Sequence, residues 1–139
     1  VRKENEWLIW TEDNKFGLYD SEQDTVSIGL NWFSGNKHEI RLKSQFVALQ
    51  ADNPKSLISD NGGYLYDSDD LIKPFTQGVV SFQVRYKYEI APLSYLYLVY
   101  SKGGTSYNED EDYSKSEIFN QPWNNPSDEV YSIKFRLKY

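Results

Sequence analysis

The fold class is decided by residues 131–139, Tyr131-Ser132-Ile133-Lys134-Phe135-Arg136-Leu137-Lys138-Tyr139. Apolar side chains alternate strictly with polar or cationic ones, which is the pattern of a β-strand with one apolar face and one cationic face. In a soluble sandwich the apolar face would meet a protein core. In an outer-membrane barrel that face would meet lipid, and the charged face would line the lumen. Which of these two fold classes applies therefore depends on whether protein or lipid covers the apolar face of this segment.

The same alternation recurs along most of the chain. It predicts about six antiparallel strands in a meander, with no convincing helical stripe, at residues 6–20, 25–33, 37–51, 78–90, 95–101 and 129–139. Four of these segments reach the roughly 9–11 residues that a barrel strand needs to cross a bilayer. Strands of soluble proteins are usually about 5–6 residues long. Strand length therefore favours part of a transmembrane β-barrel as the fold class.

The connections between these segments alternate in length. Short turns are predicted near Gly35 and Pro92, whereas residues 52–77 and 103–128 form long, acidic loops. A brief connection at residues 21–24 would lie at the same end as the long ones. Short turns at one end and long loops at the other are typical of outer-membrane barrels. A β-sandwich has no physical reason to sort its loops in this way.

Composition limits the remaining protein classes. The 139 residues suit one domain, and 17% are aromatic, including 12 Tyr, which suits membrane interfaces or sugar-binding surfaces. Mean hydropathy is −0.71, and no apolar run approaches the roughly 20 residues of a spanning helix. The chain has no Cys, which excludes disulfides and Cys metal sites. The net charge is −6, and the cations lie in the strands rather than in a separate basic patch. Nucleic-acid binding is therefore not expected.

The cationic strand faces would have to point away from lipid. A Lys or Arg facing lipid at the bilayer midplane costs roughly 2–4 kcal/mol. The predicted lumen-facing residues are Arg41, Lys43, Arg85, Lys87, Lys134 and Arg136, and the predicted lipid-facing residues are Phe82, Tyr86, Phe135 and Tyr139. A cationic lumen would favour anionic solutes. The alternative, a lumen of mutually neutralising ion pairs, is favoured because barrel interiors are polar for structural reasons alone.

The acidic loops contain candidate ligand-binding groups. Residues 67–70 and 108–112 could supply oxygen ligands for Ca²⁺, but neither fits the twelve-residue calcium loop. We therefore expect solvated loops, with no metal and no cofactor. The rings of Tyr64, Tyr66 and Trp123 could stack on sugars, although packing within the loops is the favoured alternative.

Catalysis is not expected from this chain. Its one histidine, His38, follows a tight turn and suits a strand-end position at a membrane interface. No Gly-x-Ser-x-Gly nucleophile motif or phosphate-binding glycine loop occurs. An outer-membrane enzyme using loop carboxylates is a third, weaker hypothesis that no residue spacing supports.

Several strand motifs together resemble one known group. They are Trp7-Leu8-Ile9-Trp10, Leu30-Asn31-Trp32-Phe33, His38-Glu39-Ile40-Arg41-Leu42-Lys43, Val84-Arg85-Tyr86-Lys87-Tyr88-Glu89, Tyr97-Leu98-Val99-Tyr100-Ser101 and Lys134-Phe135-Arg136-Leu137-Lys138-Tyr139. Their order resembles the C-terminal end of large bacterial outer-membrane proteins. In those proteins a family-nine-type carbohydrate-binding domain precedes a membrane barrel of unassigned function. The closing aromatic residue also resembles the terminal signal that such barrels present to their assembly machinery.

The resemblance implies a location and a set of partners. The chain would lie in the bacterial outer membrane, contact lipid and the barrel-assembly machinery, and have a structural or pore-forming transport role near carbohydrate. It would be the C-terminal part of a larger barrel, because single-chain membrane barrels begin at about eight strands. The remaining strands would come from upstream sequence or from other chains. The alternative is a soluble β-sandwich or lipocalin-like module that binds carbohydrate or another ligand.

Overall fold

A computed structural model of the chain describes residues 1–109 and 113–138. The strands are β1 (Arg2–Glu12), β2 (Lys15–Ser34), β3 (His38–Ser59), β4 (Leu65–Asp67), β5 (Phe75–Ala91), β6 (Ser94–Asn108) and β7 (Asp128–Arg136), and the helix is α1 (Lys115–Asn124). None of the helical structure in these residues is long and apolar enough to cross a membrane.

The strands form one antiparallel sheet. Its order is β1-β2-β3-β5-β6-β7, and the short β4 pairs with the end of β3. The prediction of an all-β antiparallel meander is therefore confirmed. The seven described strands share a single sheet, rather than the two packed sheets of a sandwich. The path ends at β1 on one side and β7 on the other, so the sheet is open and is not closed into a barrel.

The first hairpin differs from its prediction. The chain turns at Asp13 and Asn14, and residues 21–24, predicted as a connection, lie inside β2. Asp13 has a φ of 44°, a left-handed conformation that Asp adopts more readily than most residues. The polar run can stay in the strand because its charges are paired, with Glu22 Oε2 lying 2.9 Å from Lys3 Nζ.

The two long connections are shorter than predicted because the strands that flank them run further. β3 continues to Ser59 and β6 to Asn108, which leaves residues 60–74 and 109–127 between long strands. The Asp60 carboxylate organises the first connection by accepting hydrogen bonds from the Tyr64 and Gly62 N–H groups at 2.9 and 2.8 Å. These bonds lower the pKa of Asp60. Both long connections and the first hairpin turn lie at the same end of the sheet.

A helix forms where the sequence predicted only loop. Ser114 begins α1 with a capping box, in which its side chain accepts from the Glu117 N–H and the Glu117 side chain accepts from the Ser114 N–H. The helix lies on the sheet through Ile118 and Pro122, both buried. Because Ala48 and Val80 are buried beneath it, the best-packed part of the molecule lies under α1.

Candidate functional site: two faces of an open sheet

Strand register assigns every side chain to one of two faces. Residues paired across an antiparallel ladder point to the same side, and neighbours along a strand point to opposite sides. One register row joins Asn31, Arg41, Arg85, Val99 and Ser132. The adjacent row points to the opposite side and joins Leu30, Leu42, Val84, Tyr100 and Tyr131. The sheet therefore has a polar face and an apolar face.

The polar face carries the predicted lumen-facing cations. The structure brings all six together on this face: Arg41, Lys43, Arg85, Lys87, Lys134 and Arg136. Glu39 and Glu89 lie among them on the same face. The result is a basic surface that occupies the half of the sheet nearer the short turns.

The polar face is concave. Near the long connections, the Phe75 ring on β5 lies 5.3 Å from the Tyr19 ring on β2 and 6.3 Å from the Trp7 ring on β1. β1 and β5 are three strand spacings apart, which is about 14 Å in a flat sheet. The convergence of these rings indicates that the sheet curls toward its polar face. The apolar face is therefore the convex one.

The depressions on the concave face include two that lie away from its turn edge. One is a groove of about 460 Å³ whose polar-face lining is Ser27, Gly29, Lys43, Gln45, Ser81 and Gln83. The other is a pocket of about 180 Å³, hereafter the basic pocket, lined by Glu39, Arg41, Arg85, Lys87 and Tyr97. Both open on the polar face, at the half nearer the short turns.

Ion pairing within the basic pocket centres on one carboxylate. Glu39 contacts the Arg41 guanidinium through Oε1 and lies 3.8 Å from Lys87 Nζ through Oε2. Lys87 Nζ also lies 4.4 Å from the centroid of the Tyr95 ring, within cation–π range. Glu39 thus serves two cations at once and is itself only 17% exposed.

Much of the convex face is uncovered. We call its open part the apolar band, which consists of Val26, Ile28, Leu30, Trp32, Ile40, Leu42, Val84, Tyr86, Leu98, Tyr131, Ile133 and Phe135. Its residues on β2 are 48–58% exposed, and Ile133 and Phe135 are 67% and 63% exposed. No described element packs over these side chains.

The rest of the convex face lies under α1. We call this part the covered patch, formed by Phe46, Ala48, Gly78, Val80, Phe82, Gly104 and Ser106. The helix approaches so closely that a Cβ on Gly78 would lie 2.3 Å from the Ile118 carbonyl oxygen. A Cβ on Gly104 would lie 2.1 Å from the Pro122 carbonyl oxygen. The lack of side chains at Gly78 and Gly104 therefore provides the space in which the helix packs, hereafter the seat of the helix.

The predicted lipid-facing residues have different surroundings. Phe82, Tyr86 and Phe135 all lie on the convex face. Phe82 is in the covered patch, where its ring lies 5.6 Å from that of Trp123, so the expectation of an open, lipid-facing ring is wrong for Phe82. The Tyr86 hydroxyl lies 2.7 Å from His38 Nδ1. Tyr139 lies outside the described residues.

The three loop aromatics do not form one site. Trp123 belongs to α1, and its ring packs on Phe82 and Phe119, so its predicted place in a loop is wrong. Tyr64 and Tyr66 lie in the other long connection and are 70% and 55% exposed. The Tyr66 hydroxyl donates to the Asp60 carboxylate at 3.3 Å.

The sequence did not predict the contacts that Lys115 and Lys102 make at the margin of α1. Lys115 Nζ pairs with the carboxylates of Glu22, at 2.9 Å, and Asp24. Lys102 Nζ lies 4.7 Å from the centroid of the Trp123 ring. The only sequence signal for this contact zone was the capping-box spacing of Ser114 and Glu117.

Some of the acidic loop residues considered as metal ligands are paired with cations. Asp67 lies 3.1 Å from Lys55 Nζ and Asp70 lies 3.0 Å from Lys15 Nζ. Residues 1–109 and 113–138 contain no group of three or more potential metal ligands. Residues 110–112 of the second acidic run lie outside the described residues.

The chain matches no known protein family, no curated protein and no solved structure.

Proposed function

We propose that this chain is a wall segment of a bacterial outer-membrane β-barrel, with a structural or pore-forming transport role. The apolar band would face lipid, and the concave polar face would line the lumen. One observation carries the proposal, which is that the extent of the exposed apolar side chains on the convex face shifts along the strands between β2 and β7, as expected for tilted barrel strands in a bilayer.

This shift follows from register. On β2 the apolar band runs from Val26 to Trp32, and Trp32 shares a register row with Ile133. A band running straight across would therefore occupy residues 127–133 at β7. Within β7 it instead occupies Tyr131 to Phe135, so its end nearer the long connections is shifted by four residues, because position 129 is the charged Glu129.

This shift converts to an angle. Four residues rise about 14 Å along a strand, and the four spacings from β2 to β7 measure about 19 Å, which gives a tilt of about 35°. Strands of outer-membrane barrels tilt about 35–45° from the membrane normal. A band that must stay level in a bilayer has to shift along tilted strands by this amount. A soluble sheet is under no such constraint.

The height of the open band is smaller than the apolar band of a complete barrel. On β2 it runs from Val26 to Trp32, which is about 20 Å along the strand and about 16 Å along the normal of a tilted barrel. Apolar bands of outer-membrane barrels are about 25 Å tall, and on β5 the apolar side chains continue beneath α1 at Phe82 and Val80. Soluble monomers rarely expose contiguous apolar patches larger than a few hundred Å².

Tryptophan quenching by lipid tests the proposal. Trp32 lies in the apolar band and is 48% exposed, whereas Trp7 lies on the concave face. In vesicles of phosphatidylcholine brominated on its acyl chains, we expect strong quenching of the protein fluorescence relative to unbrominated vesicles. The variant Trp32→Phe should lose most of that quenching, and the matched variant Trp7→Phe should retain it.

Two results would reject the wall-segment proposal. One is equal fluorescence in brominated and unbrominated vesicles. The other is a monodisperse monomer in detergent-free buffer that does not bind vesicles at all. Quenching that is lost in Trp7→Phe rather than in Trp32→Phe would instead place the concave face against lipid and reverse the proposed orientation.

The open edges imply protein partners for the segment. An unpaired strand edge is not tolerated in lipid, so β1 and β7 would pair with further strands, either of the same protein or of other chains. The resemblance to carbohydrate-associated outer-membrane proteins adds assembly machinery and carbohydrate as proposed partners. Tyr64 and Tyr66 are the exposed rings best placed for sugar contact.

A further inference from the structure

The basic pocket holds more positive charge than its acid can neutralise. Arg41 and Arg85 are register partners on β3 and β5, and Lys87 is the register partner of Glu39 two rows away, on the same face. Three cations against one carboxylate leave two positive charges in a pocket of about 180 Å³. Lys134, the register partner of Tyr97, adds another cation at its rim.

The placement of Arg85 is unfavourable without a further partner. Like charges directly opposite each other on a sheet are destabilising, and Arg85 is directly opposite Arg41. Glu39 is taken by Arg41 and Lys87. Within residues 1–109 and 113–138, Arg85 has no carboxylate at ion-pairing distance. The pocket thus has an exposed guanidinium, that of Arg85, with no carboxylate paired to it among these residues.

We propose that the basic pocket binds a small oxyanion carrying two negative charges, of the phosphate type. Guanidinium groups bind phosphate and carboxylate oxygens through two parallel hydrogen bonds. Two of them on neighbouring strands suit one dianion. The charge of such a ligand would match the two uncompensated positive charges. Binding requires only the described residues, and the placement of the pocket in a lumen rests on the proposed function.

Calorimetric titration with inorganic phosphate tests this site. The protein is titrated in detergent micelles at constant ionic strength set with sodium chloride, and we expect saturable binding of one phosphate per chain. Arg85→Gln should weaken binding about tenfold or more, because a hydrogen bond to a charged group contributes about 1.5–3 kcal/mol. Arg2→Gln makes the same charge change on the same face, in the register row of Gln23, and should leave binding unchanged.

Arg85→Lys controls for folding, and competition with succinate tests whether the pocket prefers phosphate or a dicarboxylate. Arg85→Lys keeps the charge but loses the guanidinium that can donate two parallel hydrogen bonds. Its phosphate affinity should therefore fall between those of the original protein and Arg85→Gln. Competition with succinate, a small dicarboxylate, distinguishes a phosphate ligand from a carboxylate one. Weaker binding of succinate than of phosphate is expected, and stronger binding would overturn the phosphate assignment.

Three outcomes would overturn the site itself. They are the absence of saturable heat, an equal response to phosphate and to chloride at matched ionic strength, and equal weakening by Arg85→Gln and Arg2→Gln. A chain that binds phosphate but shows no lipid quenching would refute the wall-segment proposal and leave the site standing. Lipid quenching without phosphate binding would do the reverse.

Discussion

The covered patch and the apolar band lie on the same convex face and are built from the same strands, yet only one of them is covered by the chain. On β5 the covered patch contributes Gly78 and Val80, whereas the apolar band contributes Val84 and Tyr86. Gly78 and Gly104 let α1 approach the backbone of the covered patch, and the apolar band contains no glycine. These two glycines therefore distinguish the part of the face that the chain packs itself from the part left for another covering.

The largest effect is expected from placing a charge in the apolar band. Leu30 is 55% exposed, so Leu30→Arg would change stability little in water, within about 0.5 kcal/mol. If lipid covers the band, the same change should lower the free energy of unfolding in vesicles by about 2–4 kcal/mol. Denaturant titration in lipid vesicles measures this difference.

The matched control for that substitution lies three residues away on the opposite face. Ser27→Arg adds the same side chain to the same strand but points it to the concave face. It should change the free energy of unfolding in vesicles by less than about 1 kcal/mol, since lumen-facing charges avoid the lipid cost. Equal destabilisation by the two variants would remove the contrast between the faces.

A smaller effect is expected from disturbing the covered patch. A Cβ on Gly104 would overlap the Pro122 carbonyl, so Gly104→Ala should force α1 off its seat and cost about 1–3 kcal/mol, as overpacking usually does. A shift of the Trp123 emission toward that of an exposed indole should accompany the loss. Denaturant unfolding followed by fluorescence measures both.

Gly29→Ala is the control for the glycine change. A Cβ at Gly29 would have nothing within 4 Å, and Ala suits a strand interior better than Gly. This variant should be neutral or slightly stabilising. If Gly104→Ala were equally neutral, then close packing of α1 would not be what distinguishes the covered patch.

The sequence predicted the strands and their two faces better than it predicted the contacts between side chains that the fold brings together. Long alternating runs such as residues 78–90 identify strands and assign their faces, because period two needs only local information. The β1–β2 turn was misplaced because the acids at Glu22 and Asp24 looked like a loop. Their pairing with Lys3 and Lys115 depends on residues brought together by folding.

The helix and the shift of the apolar band needed the structure. α1 has too few apolar residues and a Pro at position 122, so no helical stripe marks it, and its seat at Gly78 and Gly104 comes from distant strands. The shift depends on the register of β2 through to β7, which alternation within one strand cannot supply. The arginine pairing in the basic pocket was hidden for the same reason.

A modest effect is expected at the start of the helix. Ser114→Ala removes the side chain that accepts from the Glu117 N–H and should cost about 1 kcal/mol, typical of a lost N-cap. Faster proteolysis within α1 should reveal it, with the apolar band unaffected. Ser127→Ala, an exposed position beyond the helix, should leave the cleavage rate unchanged.

The smallest effect is a pH dependence of the contacts that hold α1 on the covered patch. Hydrogen bonds from Lys115 and Lys3 lower the pKa of Glu22 from 4.5 to about 2. A carboxylate with a lowered folded-state pKa stabilises the fold above its ordinary value, and this contribution is lost as pH falls through the folded value. Acidification from pH 4.5 to pH 2 should therefore loosen α1, seen as a change in Trp123 emission, and leave lipid quenching of Trp32 constant.

Lys115→Gln separates this contact from other acid effects. The Ser114 hydrogen bonds also lower the pKa of Glu117, so the helix should keep part of its acid sensitivity when the Lys115–Glu22 contact is gone. The variant should show a smaller Trp123 change over the same pH range than the original protein. An unchanged pH profile would mean that Glu22 does not hold α1 to the sheet. The attachment of the helix would then rest on its packing contacts, chiefly those of Ile118, Pro122, Phe119 and Trp123.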